Sequence, residues 1–472
     1  MPTPPLNAVL EAVRRERDAI LDGLFRFLAL PSVSALSAHK ADVGRTAAFL
    51  ADALREAGFA DARVEPTAGH PLVVASSVVD PLLPTVLFYG HYDVQPVDPE
   101  DRWTTPPFAP AIRDGRIYAR GASDDKGPVW MHLAVFRAYR DAWGRLPLNV
   151  KVLIEGEEEI GSPHLEPYLA AHRHELAADA VLISDTTMLG PDRPAITVGL
   201  RGLAALEVRV RGPKSDLHSG LYGGIVHNPL QALVRLLATL HDADGRVAVP
   251  GFYDDVRPLP PSERAEIAAV APTADALRAE LGVPALFGEA GFTPLERNWA
   301  RPTLELNGLF GGFQGEGIKT VIPAEAGAKL SARLVPDQDP ERILDLVEDH
   351  LRRHAPPGVV LDLRRFDTGR PYLAPADHPA IRAAARALEA AFGRPAAFVR
   401  MGGSIPIVEP FRRHLGAPIV LMGFGLATDN IHAPDEHFDL AIFDRGLEAI
   451  VRAYAELADA LAPAAGQSGA DR

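Results

Sequence analysis

The feature that most constrains this chain is a set of four short apolar runs, "PLVVASSVV", "TVLFYGHYD", "LNVKVLIEG" and "DAVLISD", with the helical pattern "GPVWMHLAVFRAYRDAW" set among them. Runs this short and this apolar read as buried strands, and strands alternating with helices predict an α/β fold, a central mixed sheet flanked by helices on both faces. The runs end in "GHYD", "EGEEE" and "ISD". In open α/β sheets ligands collect outside the carboxyl ends of the strands, so this fold would gather those polar residues at one place.

The flanking pattern divides the chain. Val9, Val13, Ile20, Leu24 and Leu28 follow the period of an amphipathic helix, and "VGRTAAFLADALREAGFA" predicts a second helix stopped by Gly58. From about residue 200 the pattern changes to strand, helix, strand, strand, helix, strand, carried by "LAALEVRVRG", "NPLQALVRLLATLHD", "TLELNGLF", "AGAKLSARLVP", "PERILDLVEDHLRRH" and "VVLDLRRFD". That order predicts a ferredoxin-like α+β domain over 200–368, inserted into a first domain made of 1–199 and 369–462. A Pro-rich insertion, 242–301, interrupts it and carries a helical pattern at "SERAEIAAVAPTADALRAELG". Residues 463–472, "PAAGQSGADR", read as a disordered tail.

Composition removes several classes of function. A net charge of −14 disfavours nucleic acid as the main partner. The chain has no cysteine, which excludes disulfides and thiolate metal sites, so any metal must be held by His, Asp and Glu. No run approaches the ~18 apolar residues of a membrane span, and the N-terminal segment lacks a basic stretch followed by an apolar one. The expectation is a soluble, cytoplasmic protein that does not engage a membrane.

Each polar strand end has an ordinary explanation when taken alone. His91 and Asp93 lie two apart on an extended segment and so face the same way, which also suits a plain polar strand end. Asp124 and Asp125 in "RGASDDKGP" suit the turn that opens a helix. Glu157, Glu158 and Glu159 suit a solvated acidic loop, and Asp185 a turn; "DNIHAPDEH" adds His432 and, less convincingly, Asp429 and His437. Together they match a different requirement. Two divalent cations sharing a bridging carboxylate and a water are satisfied by two His and three carboxylates, and a further acid beside the water would serve as general base.

At these residues the chain resembles the aminoacylase and carboxypeptidase-type family of dinuclear zinc peptidases, and most of all its dipeptidase branch of carnosinases and cytosolic nonspecific dipeptidases. The motifs "GHYDVQP", "RGASDDKGP", "EGEEEIGS", "ISDTT", "GLRG", "SDLHSGLYGG", "KTVIP", "SARLVP", "GGSIP" and "DNIHAPDE" occur in the family's order across nearly the whole chain. The resemblance implies that His91 and His432 are terminal ligands on different metals, that Asp124 bridges them, and that Glu159 and Asp185 each join one metal. It implies that Asp93 orients the His91 ring, that Glu158 is the general base, and that Glu157 is a spare, solvated acid. It also implies a cis bond between Asp124 and Asp125. His218 would polarise the scissile carbonyl in a partner subunit's site, making the enzyme a homodimer through the inserted domain, which doubles as a lid. Thr320, Arg333, Gly403 and Ser404 would hold the substrate's C-terminal carboxylate. The implied activity is hydrolysis of dipeptides or short peptides with a free C-terminal carboxylate, using two zinc ions, with manganese or cobalt as substitutes. The alternative is an N-acyl or N-carbamoyl amino acid amidohydrolase.

Overall fold

A computed structural model describes residues 5–366, 368–403, 405 and 407–462. The long parallel strands are Thr85–His91, Asn149–Glu155 and Ala180–Ile183, joined by the parallel strand Ile419–Leu421. Leu72–Ser77 and Arg63–Glu65 extend one side in antiparallel fashion, and Ala195–Leu200 pairs antiparallel with Ile419–Leu421 on the other. The sheet is therefore mixed. Val86, Leu87, Val150, Val152, Val181 and Leu182 have no exposure, as strands covered by helices on both faces require.

The helix Lys126–Trp143 is the main brace behind this sheet. Gly144, at φ 77°, closes it with its N–H on the Arg140 carbonyl, a left-handed stop that glycine adopts without steric cost. His132 on this helix is fully buried between Tyr454 Oη and Ser184 Oγ, at 3.0 and 2.8 Å, and burial holds its pKa down to about 3. It is a neutral fastener that ties the residue before Asp185 to the helix Leu440–Ala460. Lys126 is equally buried, and its ammonium donates to the carbonyls of Leu30 and Phe27 at 2.6 and 3.3 Å, where the helix Arg17–Leu28 ends.

The chain separates into two units. One comprises Met1–Val198, Ala374–Val399 and Pro406–Arg472, the other Gly199–Leu373 and Arg400–Ile405. The second has a four-stranded antiparallel sheet in the order Thr303–Gly311, Glu325–Leu334, Gly202–Arg211, Val360–Arg365. The helices Pro229–Leu237 and Pro340–Arg353 bury Leu233, Leu236, Ile343 and Val347 against Leu206, Val208 and Leu330 of that sheet.

Two expected helices are broken in the structure. The N-terminal helical pattern is carried by Leu6–Arg15 and Arg17–Leu28, with Glu16 between them. The pattern in the Pro-rich insertion becomes Pro261–Val270 and Ala274–Leu281, because Pro272 forces Ala271 into an extended conformation. Among the described residues no helix is long and apolar enough to cross a membrane.

Candidate metal centre

Register explains how separate strand ends meet. His91 lies opposite Glu155, and Tyr89 opposite Ile183, so three parallel strands stop nearly level and release their loops on the same edge. The loops carry Asp93, Glu157 to Glu159, and Asp185. Asp124 enters from the turn that opens the helix Lys126–Trp143, and the Asp124–Asp125 bond is cis. His432 comes from a loop in which Asn430, His432 and Asp435 all hold positive φ, a conformation open to Asn, Asp and His more readily than to bulkier residues.

The central contact is Asp124 between two imidazoles. Its Oδ1 lies 3.0 Å from His91 Nε2 and its Oδ2 lies 3.0 Å from His432 Nε2. His91 Nε2 is also 3.7 Å from Asp185, and His432 Nε2 is 3.3 Å from Glu159. Two groups of possible ligand atoms result, His91, Asp124 and Asp185, and Asp124, Glu159 and His432, each with all its atoms within 4.8 Å. Asp124 belongs to both.

Among the described residues only His91 and His432 pair with Asp124, Glu159 and Asp185; no Lys or Arg does. Burial raises the Asp185 carboxyl to about 7, with the charge of Asp124 adding to it. Burial opposes protonation of His91, yet Asp124 and Asp93 outweigh it and push the ring well above the usual histidine range. Hydrogen bonds to Asp124 and Glu159 raise His432 to about 10. For Asp124 burial acts upward, but the bond with His432 and the adjacent charge of the His91 ring hold it below the usual carboxylate range. Clustered buried carboxylates that draw protons onto neighbouring imidazoles are the expected state of a cation site in a chain without the cation. His91 Nε2 is itself fully buried and, among the described residues, forms no hydrogen bond of good geometry despite the nearby oxygens. With its proton displaced, that nitrogen and the surrounding oxygens fit a divalent metal.

Supporting bonds hold each loop. The Asp93 carboxylate accepts the N–H groups of Glu158 and Glu159 at 3.2 and 3.1 Å. His91 Nδ1 is 3.1 Å from the Asp93 carbonyl and 3.5 Å from its carboxylate, so the main chain of Asp93 is the nearer partner of the ring. Burial raises Glu158 far above the usual carboxylate range, with His91 acting against it, and no hydrogen bond holds its carboxylate among the described residues.

Glu157 corrects the sequence expectation. It is 4% exposed rather than solvated, and its two oxygens take the His70 N–H at 2.9 Å and lie 2.8 Å from His164 Nδ1. Asp429 and His437 stand outside both metal groups: Asp429 accepts from Ser123 Oγ and the Leu426 N–H, and His437 Nδ1 faces the Asp435 carbonyl.

Sequence reasoning missed several participants. Gln95 donates to the Glu159 carboxylate at 2.8 Å, and the alternation His91, Asp93, Gln95 along an extended segment would have pointed to it. Glu436 is 1% exposed, pairs with Arg120 at 2.7 Å, and accepts the N–H groups of Gly121, Ser123 and Asp124. It thereby fixes the Asp124 turn from the same loop that carries His432, and no local pattern announces it. Glu155, raised to about 8 by burial with the Tyr89 bond acting against it, accepts from Tyr89 Oη and Ser162 Oγ behind the glutamate loop.

The other predicted residues belong to the second unit. The strand Leu217–His218 pairs with Val321–Ile322, and the Ser219 N–H donates to the Thr320 carbonyl at 3.0 Å, so His218 and Thr320 are neighbours, both exposed. Arg333 lies on the central hairpin opposite Leu203 and Thr303. The Gly403 carbonyl accepts the Arg201 N–H at 3.1 Å. Ser404 lies outside the described residues.

Residues 87–456 match the model of Peptidase family M20/M25/M40. The chain belongs to this family. It is 33% identical over 468 residues to the Cys-Gly metallodipeptidase dug1 of Schizosaccharomyces pombe, covering 96% of this chain and 98% of that one. It is 32% identical to the human Beta-Ala-His dipeptidase, covering 97% and 94%. The crystal structure of human carnosine dipeptidase 1 superposes with a TM-score of 0.80 at 32% identity over 97% of this chain and all of that one. The M20 chain is thus a hydrolase with an α/β catalytic fold, and the fold class expected from its strand pattern is the one found.

Proposed function

We propose that this chain is a dinuclear metallodipeptidase that cleaves dipeptides, or short peptides with a free C-terminal carboxylate. The observation that carries the reading is Asp124, whose two oxygens face different imidazoles and complete two separate donor groups. Dipeptidase relatives over nearly the full chain support it. His91, Asp124 and Asp185 would hold one divalent ion and Asp124, Glu159 and His432 the other, zinc by preference and manganese or cobalt by substitution. Ions bound there supply Lewis acidity and lower the pKa of a shared water.

The protein groups then have distinct tasks. Glu158 takes the proton of the attacking water and passes it to the leaving amine, a role suited to a carboxylate whose surroundings raise its proton affinity. Asp93 keeps Glu158 in place through the N–H bonds that it accepts from the glutamate loop. Thr320, Arg333, Gly403 and Ser404 bind the terminal carboxylate, for which a planar guanidinium is well matched. His218 donates to the carbonyl oxygen of a substrate held in a second subunit.

On this reading the enzyme is a homodimer, and the domain 200–368 inserted between 1–199 and 369–462 serves as lid and dimerisation module in a cytoplasmic protein. Leu221, Ile225 and Ile318, which are 68%, 74% and 91% exposed, flank the His218 and Thr320 ladder in sequence and offer the apolar surface that a second copy would cover. The test is hydrolysis of a dipeptide panel by chelator-stripped protein after separate addition of zinc, manganese and cobalt. Metal-dependent release of free amino acids is expected. Silence on dipeptides with turnover of N-acyl or N-carbamoyl amino acids would replace this reading with the amidohydrolase one.

A further inference from the structure

The second unit contains a cavity of about 800 Å³ between its antiparallel sheet and the Pro-rich insertion. Arg201, Arg297, Arg301 and Arg333 all line it. Arg301 is already neutralised, with two 2.7 Å bonds to Glu289, and Arg297 Nε donates to the Glu289 carbonyl. Arg201 differs. It is 8% exposed, its Nε donates to the Gly402 carbonyl at 2.8 Å, and its two terminal nitrogens make no hydrogen bond and no ion pair among the described residues.

Arg333 sits opposite Leu203 in the ladder, Arg201 immediately precedes the strand that carries Leu203, and both line the same cavity. Burial and the charge of Arg333 lower the Arg201 pKa to about 10; Glu305, itself exposed, is the acid that acts the other way. A largely buried side chain that opens two unpaired guanidinium nitrogens into a cavity favours an anion there.

We infer that Arg201 receives a second carboxylate, the side chain of an acidic C-terminal residue, while Arg333 holds the α-carboxylate. This inference rests on the dipeptidase reading for the role of Arg333. It makes dipeptides ending in glutamate or aspartate preferred substrates, and it gives the Pro-rich insertion a task as the far wall of the pocket. Leu277, Leu286 and Phe287 from that insertion line the cavity and would pack the methylenes of the acidic side chain. A site built to satisfy a buried charge discriminates sharply against the uncharged isostere.

The experiment compares Ala-Glu with Ala-Gln in the metal-loaded enzyme, in Arg201→Gln and in Arg201→Lys. It also measures calorimetric binding of both peptides to Glu158→Gln protein with and without the Arg201→Gln change. The wild type should show a KM for Ala-Glu about tenfold below that for Ala-Gln, Arg201→Gln should erase the difference, and Arg201→Lys should keep part of it. Binding should follow the same order. Equal handling of the two peptides by the wild type would overturn the inference, as would an Arg201→Gln change that weakens both equally, the behaviour of a residue that only holds Gly402. A loss confined to free acids over C-terminal amides would move Arg201 to the α-carboxylate and overturn it too. Preferential binding of Ala-Glu without hydrolysis of any peptide would sustain this inference and sink the dipeptidase reading.

Discussion

The two units of this chain differ in how their polar groups are prepared. In the first, Asp93, Glu436 and Gln95 spend their hydrogen bonds on the loops that carry the candidate metal ligands, and that cluster is internally over-determined. In the second, His218 and Thr320 are exposed, and Arg201 opens into a cavity with its two terminal nitrogens unpaired among the described residues. The contrast teaches that a metal site must be preorganised by its own chain, because clustered carboxylates repel one another until cations arrive. A recognition surface can wait for substrate or a second subunit to satisfy it.

The largest effect should come from the over-determined region. Glu158→Gln should lower kcat by about 10³-fold with metal content intact, measured by steady-state kinetics and elemental analysis together. Unchanged turnover would remove Glu158 from the base role. Next, His218→Asn should lower kcat by about 10²-fold. Mixing that variant with Glu158→Gln and allowing subunit exchange should recover about a quarter of wild-type activity, because half the dimers are mixed and each has one intact site. No recovery would show that His218 acts within its own subunit or not at all.

A smaller effect follows from protonation. In the metal-free chain the folded pKa values of Asp185 and His432 are raised to about 7 and about 10, so both hold protons that a metal must displace. Metal affinity should therefore rise with pH across that window, by about tenfold per unit for each proton released, as read by competition with a chelating dye. A flat profile would contradict the protonation pattern. The smallest effect belongs to Glu157. Glu157→Gln keeps the shape but weakens the bonds to His70 and His164, and should cost about 1–3 kcal/mol in thermal unfolding. No loss of stability would mean that those bonds contribute nothing net.

Much of the first unit was legible because strand ends announce themselves. His91, Asp124, Glu158, Glu159, Asp185 and His432 each close or follow an apolar run or a motif, and the structure brings them to one edge of the sheet. Three glutamates in a row carried no sign of which would be buried, since burial of Glu157 depends on His70 and His164. Glu436 was hidden for the same reason: its partners lie more than 300 residues earlier. Pro272 lies inside one helical pattern, and its helix-breaking ring divides that pattern into two helices. The cavity around Arg201 depends on packing between a strand and an insertion, and periodicity holds no information about it.

The central claim is that Asp124 is shared by two metals. The most direct measurement is the number of zinc equivalents bound per chain, by titration of stripped protein, in the wild type and in Asp124→Asn. Two equivalents in the wild type and loss of tight binding at both sites in the variant are predicted. One equivalent in the wild type, or full binding retained by Asp124→Asn, would contradict the account.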